Sequence, residues 1–186
     1  VKDFIAIAQV SDIPFMLVVD PALGLKTVPE VIQYARSRAN PTPFASANHS
    51  GLVSGSEFAR AAGVNLLNVP YKASPAGLTD VAGSRVPLMF IDVAASLTRV
   101  GAGKLHAVGV TTARRSSLLP EVPAIAEALA GYEVIGWTAM VAPAGTRPEI
   151  VRRLHQEIER ILAQPEVKAD FAKVGFEVRT RTPADT

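Results

Sequence analysis

Short apolar runs alternate with amphipathic stretches along most of this chain. Residues 4–10 are apolar and β-like, and a second run at 15–19 stops at Asp20-Pro21. Val28, Val31, Ile32 and Ala35 then recur at helical spacing, with Thr27 and Glu30 placed ahead of them as a capping box. Asn40-Pro41-Thr42-Pro43 breaks that helix and leads into a strand at Phe44, followed by a helix to Ala62. Further strands are predicted at 66–69, 86–91 and 105–110, and helices at 75–82 and 93–100. This alternation is the βαβ pattern of a parallel sheet.

From Thr111 the texture changes. Residues 111–123 form a polar connection bounded by proline, and 124–130 read as a short helix ended by Gly131. Residues 132–141 read as one or two strands around Trp137. Thr146 and Glu149 repeat the capping-box spacing. The helix behind them carries Ile150, Val151, Leu154, Ile158, Ile161 and Leu162 on one face, and Glu149 and Arg153 four apart on the other. Pro165 opens another helix to 174, 176–179 is an edge strand, and Thr182-Pro183 resembles a helix opening. The breaks near Asp20 and Thr111 predict two lobes, one of residues 21–111 and one of 1–20 with 112–186.

Composition narrows the chemistry. Hydrophobic residues make up 48% of the 186 and charged residues 19%, enough for a substantial core and against disorder. The net charge is +2 with basic residues scattered, which argues against nucleic acid as a partner. The absence of cysteine removes disulfides, thiolate metal sites and cysteine nucleophiles. No apolar run approaches the roughly 18 residues that a spanning helix needs. His49, His106 and His155 are too far apart in sequence for a local metal motif. No phosphate loop, H-E-x-x-H or G-x-S-x-G motif is present. The sequence therefore offers no catalytic residue, no metal ligand set and no cofactor.

The stretch 44–58 carries more information. It reads as strand, polar turn and helix start, with Ser46, Ala47, Asn48, Ser50 and Gly51 in the turn. The first N–H groups of a helix have no internal acceptor, and with the helix dipole they attract anions. The other reading is an ordinary βα turn with Ser50 as N-cap. Tyr71 in the turn 70–74 and Asp92 also follow predicted strands, where an open α/β sheet gathers its ligand. Tyr71 could donate its phenol. Asp92 either caps the next helix or receives a donor group of a ligand, and Lys72 adds positive potential.

These residues resemble the substrate-binding receptors of tripartite tricarboxylate transporters, the Bug receptors. The resemblance is carried by Pro70-Tyr71-Lys72, Leu119-Pro120-Glu121-Val122-Pro123, Ala126-Glu127 and Gly131-Tyr132-Glu133-Val134. Trp137 with Ala142-Pro143-Ala144-Gly145-Thr146, Val1-Lys2-Asp3-Phe4 and Leu17-Val18-Val19 continue it. It implies an α/β, two-lobed fold of the type II periplasmic-binding-protein kind, truncated at both ends, with lobe two complete and lobe one partial. It implies a non-enzymatic, periplasmic receptor that captures a small carboxylate in an interlobe cleft and delivers it to membrane transporter subunits. The candidate ligands are di- or tricarboxylates, or related amino or aromatic acids. An effector-binding domain of a transcriptional regulator shares the two-lobed plan and is the alternative. The resemblance carries ligand contact onto Ser46, Ala47, Asn48, Ser50 and Gly51, and more loosely onto Tyr71 and Asp92. The family loop is usually richer in glycine and often has a histidine just inside the helix, where this chain has Leu52. A partial lobe one is expected either to self-associate near 4–10 and 132–141, because unpaired strand edges recruit other chains, or to be completed by strands that are not in this sequence.

Overall fold

A computed structural model of the chain describes residues 3–181. Val1, Lys2 and the Thr182-Pro183 pair lie outside the described residues. The chain forms two compact units, one of Pro14–Ile135 and one of Val1–Ile13 with Gly136–Thr186. The predicted lobe boundaries fell instead near Asp20 and Thr111. Residues 14–19 belong to the larger unit because they pair along its central strands, from Phe15 against Asp92 to Val19 against Leu88. Residues 112–135 belong there because Leu119, Val122, Ala124, Ile125 and Tyr132 are buried in its core.

In the larger unit the strands run in the order β3 (Leu66–Pro70), β2 (Thr42–Ser46), β4 (Leu88–Asp92), β1 (Phe4–Val19), β5 (His106–Val110). The predicted strands at Phe44, Leu66, Val86 and Leu105 thus share one sheet. β2 is parallel to β3 and β4, as the βαβ pattern predicts. β1 is antiparallel to both β4 and β5, so the sheet is mixed. The chain enters this unit at Pro14 beside the carboxyl end of β4, which forces β1 to run the opposite way. The two predicted runs at 4–10 and 15–19 are one continuous strand of 16 residues.

Alternation along the strands divides the core into two layers. Met16, Val18, Ala45, Met89 and Ile91 face α3 (Ser74–Ala82) and α4 (Val93–Gly101), whose Leu78, Val81 and Val93 join them. Leu17, Val19, Phe44, Leu88 and Phe90 face α1 (Val28–Arg36) and α2 (His49–Ala62), whose Val28, Val31, Phe58 and Ala62 complete the second layer. Phe44, Phe58, Phe90 and Tyr132 form an aromatic chain there, with ring centroids 5.6–6.3 Å apart. Gly55 lets α2 lie against β2, since a Cβ there would come within 2.1 Å of the Phe44 ring. The Thr27–Glu30 capping box is present on α1. The predicted helix at 124–130 is only a 3-10 turn at Ile125–Glu127, because Val110 pairs with Ala124 and holds that segment extended.

In the smaller unit, β6 (Ile135–Pro143) and β7 (Glu177–Arg181) both pair with β1. Its core is small: Ile7, Ala8, Ala142 and Val151, with Ile158 packed against them. α5 (Pro148–Leu162) starts one residue later than the capping-box spacing predicts. Arg147 stands at its N-cap with no side-chain cap bond, because Pro148 fixes the first helical turn. Glu149 pairs with Arg147 at 3.3 Å, not with Arg153. α6 (Pro165–Lys173) follows. Buried polar residues on β1 are paired: Gln9 donates to Asp12 at 2.6 Å, and Arg179 meets Asp12 at 3.0 Å. The Ser11 and Thr138 hydroxyls lie 2.7 Å apart. His155 of α5 is turned inward and donates from Nδ1 to the Ile7 carbonyl at 2.9 Å. Tyr132 is buried in the larger unit; the exposed large apolar side chains of the predicted contact region are Phe4, Ile5, Trp137, Met140 and Val141. Among the described residues, no helix is long and apolar enough to cross a membrane.

Candidate functional site at the strand carboxyl ends

The parallel register of the larger unit brings the candidate loops together. Ser46 pairs with Pro70 at the ends of β2 and β3, and β4 on the other flank of β2 ends at Asp92. Ser46, Ala47, Asn48, Ser50, Gly51, Tyr71 and Asp92 therefore share one edge of one sheet. The Tyr71 N–H donates to the Ser46 carbonyl at 2.8 Å, and the buried Ser46 hydroxyl donates to Asn68 Oδ1 at 2.7 Å. Ala47 is half-buried and packs against the core.

The helix start differs from the Ser50-capped turn. Asn48 is the N-cap, and its Oδ1 accepts from the Gly51 N–H at 2.8 Å. The Leu52 N–H donates to the Asn48 carbonyl at 3.1 Å. The Gly51 and Leu52 N–H groups are thus taken, while those of Asn48, His49 and Ser50 remain for an anion, His49 and Ser50 standing at the first two helical positions without an intrahelical acceptor. Ser50 is half-buried and its carbonyl accepts from the Ser54 hydroxyl at 2.8 Å. Gly51 is required by contact: a Cβ there would lie 2.7 Å from the Phe90 carbonyl. This close approach seats the first turn of α2 against the end of β4, next to Asp92.

Asp92 caps α4, its Oδ1 accepting from the Ala95 N–H at 2.8 Å. The Tyr71 phenol is not free for a ligand in this arrangement; it donates to Asp80 Oδ2 at 2.8 Å. Burial raises the Tyr71 pKa, and the Asp80 carboxylate raises it further. Arg85, 2.7 Å from Asp80, holds the Asp80 pKa below the ordinary carboxylate value, and the Tyr71 hydroxyl adds to this. The three side chains thus fix the turn after β3.

Two residues of this edge escaped the sequence reading. Because β1 is antiparallel, its Phe15 lies opposite Asp92, at the same edge. Thr111, one residue past β5, exchanges bonds with Phe15: its N–H donates to the Phe15 carbonyl at 2.9 Å, and its Oγ1 accepts from the Phe15 N–H at 3.2 Å. The Thr111 hydroxyl also donates to the Val134 carbonyl at 2.6 Å. Its position immediately after a strand was the available signal.

This mixed α/β architecture is that of the two-lobed, periplasmic-binding-protein-like proteins. The family model described as the tripartite tricarboxylate transporter family receptor matches residues 1–186, and the chain belongs to that family. Three solved structures are similar to it. Rpa4515 of R. palustris, solved with adipate, is 32% identical with a TM-score of 0.85, over 99% of this chain and 62% of that one. The periplasmic binding protein BugD is 29% identical with a TM-score of 0.76, over 94% and 60%. MatC of Rhodopseudomonas palustris, with bound malate, is 25% identical with a TM-score of 0.76, over 94% and 60%. The chain spans about 55% of the length of the curated relatives it matches.

Proposed function

We propose that this chain is part of a periplasmic solute receptor that binds a small carboxylate at the carboxyl edge of β2, β3 and β4, without catalysis, and supplies it to a membrane transporter. The observation that carries this reading is the start of α2. The His49 and Ser50 N–H groups stand there beside the ends of three adjacent strands, at the positive end of a 14-residue helix. Ser46, Ala47, Asn48, Ser50, Gly51 and Asp92 shape the site. Tyr71 acts through its N–H bond to Ser46, with its phenol engaged by Asp80. The carboxylates in two related structures, adipate and malate, support a dicarboxylate as the first choice of ligand. No cofactor or metal enters this scheme.

Calorimetric titration of the 186-residue chain with adipate and malate tests the reading. Saturable binding by one of them, weakened in Ser50→Ala by loss of the hydroxyl that stands beside those N–H groups, is the expected result. A ligand at about 100 times its dissociation constant adds roughly 2.7 kcal/mol to stability. Heat-free mixing with a panel of small di- and tricarboxylates would contradict the reading. The exposed Phe4, Trp137, Met140 and Val141 further support self-association through β1 and β6 of the smaller unit. Sedimentation that stays monomeric at all concentrations would contradict that part.

A further inference from the structure

A second pocket lies at the opposite, amino-terminal edge of β2 and β4. It has a volume of about 420 Å³ and is lined by Tyr34 of α1 and Arg38 just beyond that helix, by Asn40 and Thr42, and by Pro43 and Pro87. Thr42 and Ser46 are four residues apart on β2, so the two edges are separated by about 13 Å. The proposed ligand edge therefore cannot account for this pocket.

Its polar groups are donors. The Arg38 guanidinium lies 4.5 Å from the Tyr34 ring centroid and donates to the Tyr34 hydroxyl at 2.7 Å. Tyr34 thus holds the cation by face and by oxygen, and no acidic side chain lines the pocket. The Tyr34 O–H, the Asn40 amide and the remaining guanidinium N–H groups can all donate. Thr42 closes the pocket on its strand side. It is 2% exposed, and its Oγ1 is the buried side-chain polar atom without a hydrogen-bond partner among the described residues. Alternation along β2 places its side chain on the Phe44 face, toward α1. An unpaired buried hydroxyl is costly, and such groups in native proteins call for a reason.

We infer that this pocket binds a second small carboxylate, one with an apolar body. The carboxylate takes the Arg38 fork and the neighbouring donors, and the apolar body lies on the Pro43 and Pro87 rings. Those prolines have no N–H, so the strand ends beneath them offer apolar surface instead of donors.

Amide-resolved NMR of the 186-residue chain titrated with benzoate, and separately with inorganic phosphate, tests this. Benzoate is expected to shift the Arg38, Ala39, Asn40 and Thr42 amides saturably. Arg38→Ala should weaken that titration by about tenfold or more, as loss of a charge-assisted bond predicts. Thr42→Val should leave that titration within about twofold while raising the Tm of the free protein, because it removes an unpaired hydroxyl that is closed off from the pocket. Absence of saturable shifts at these amides, an unchanged titration in Arg38→Ala, or saturation by phosphate but not by benzoate would each overturn the inference.

Discussion

Strands β4 and β6 are both rich in apolar residues, yet they meet opposite surroundings. Leu88, Met89, Phe90 and Ile91 of β4 are fully buried, covered on one face by α3 and α4 and on the other by α1 and α2. Trp137, Met140 and Val141 of β6 remain 62%, 47% and 51% exposed. The difference lies in coverage and not in composition. Burying apolar surface contributes about 25 cal/mol per Å², and only a strand with helices on both faces collects that twice. The larger unit is therefore the stable platform on which the binding edge is built, and the smaller unit contributes less packing per residue. Stability is expected to be uneven across the chain in the same sense.

The largest effects should separate the two units by their cores. Phe58→Ala removes a fully buried ring that packs on Phe90 and Tyr132, and should cost about 3–5 kcal/mol in chemical denaturation. Trp137→Ala should stay within about 0.5 kcal/mol. A large cost at Trp137 would break the comparison. Glycines give a second contrast. Gly55→Ala drives a Cβ into the Phe44 ring and should cost about 1–3 kcal/mol. Gly145→Ala meets no atom within 4 Å and should be nearly neutral.

Helix starts give a smaller one. Asn48→Ala deletes the bond to the Gly51 N–H and should cost about 1 kcal/mol. Arg147→Ala removes an N-cap residue that makes no cap bond, and urea midpoints should show no comparable loss.

The smallest effect concerns pH. The folded-state pKa of Asp80 is depressed, so the stability it contributes is present above the ordinary carboxylate pKa of about 3.9 and is lost as pH falls through the folded value. Tyr71→Phe removes one of the bonds to the carboxylate and should raise the Asp80 pKa, read by carboxyl-carbon NMR. An unchanged titration would show that Arg85 alone holds it down.

Much of this was legible in the sequence, for physical reasons that differ by residue. The periodicity of Val28, Val31 and Ala35 and the Thr27–Glu30 pair are local signals, and the helix they predict is present. Strand ends are also local, so Ser46, Tyr71 and Asp92 could be grouped at one edge before any coordinates were known. The direction of β1 is not local. It depends on where the chain enters the unit, and Phe15 and Thr111 went unnoticed as neighbours of the site for that reason. The choice of Asn48 over Ser50 as N-cap turns on contact between Gly51 and the Phe90 carbonyl, which fixes where the first turn can begin. The inward turn of His155 likewise depends on the Ile7 carbonyl, 148 positions away.

If the start of α2 holds a carboxylate, its amides must report the ligand. Amide-resolved NMR of the 186-residue chain titrated with adipate tests it most directly. Saturable shifts are expected, largest at the His49 and Ser50 amides, with smaller ones at Tyr71 and Asp92. Saturable adipate binding that leaves the His49 and Ser50 amides unmoved would contradict it.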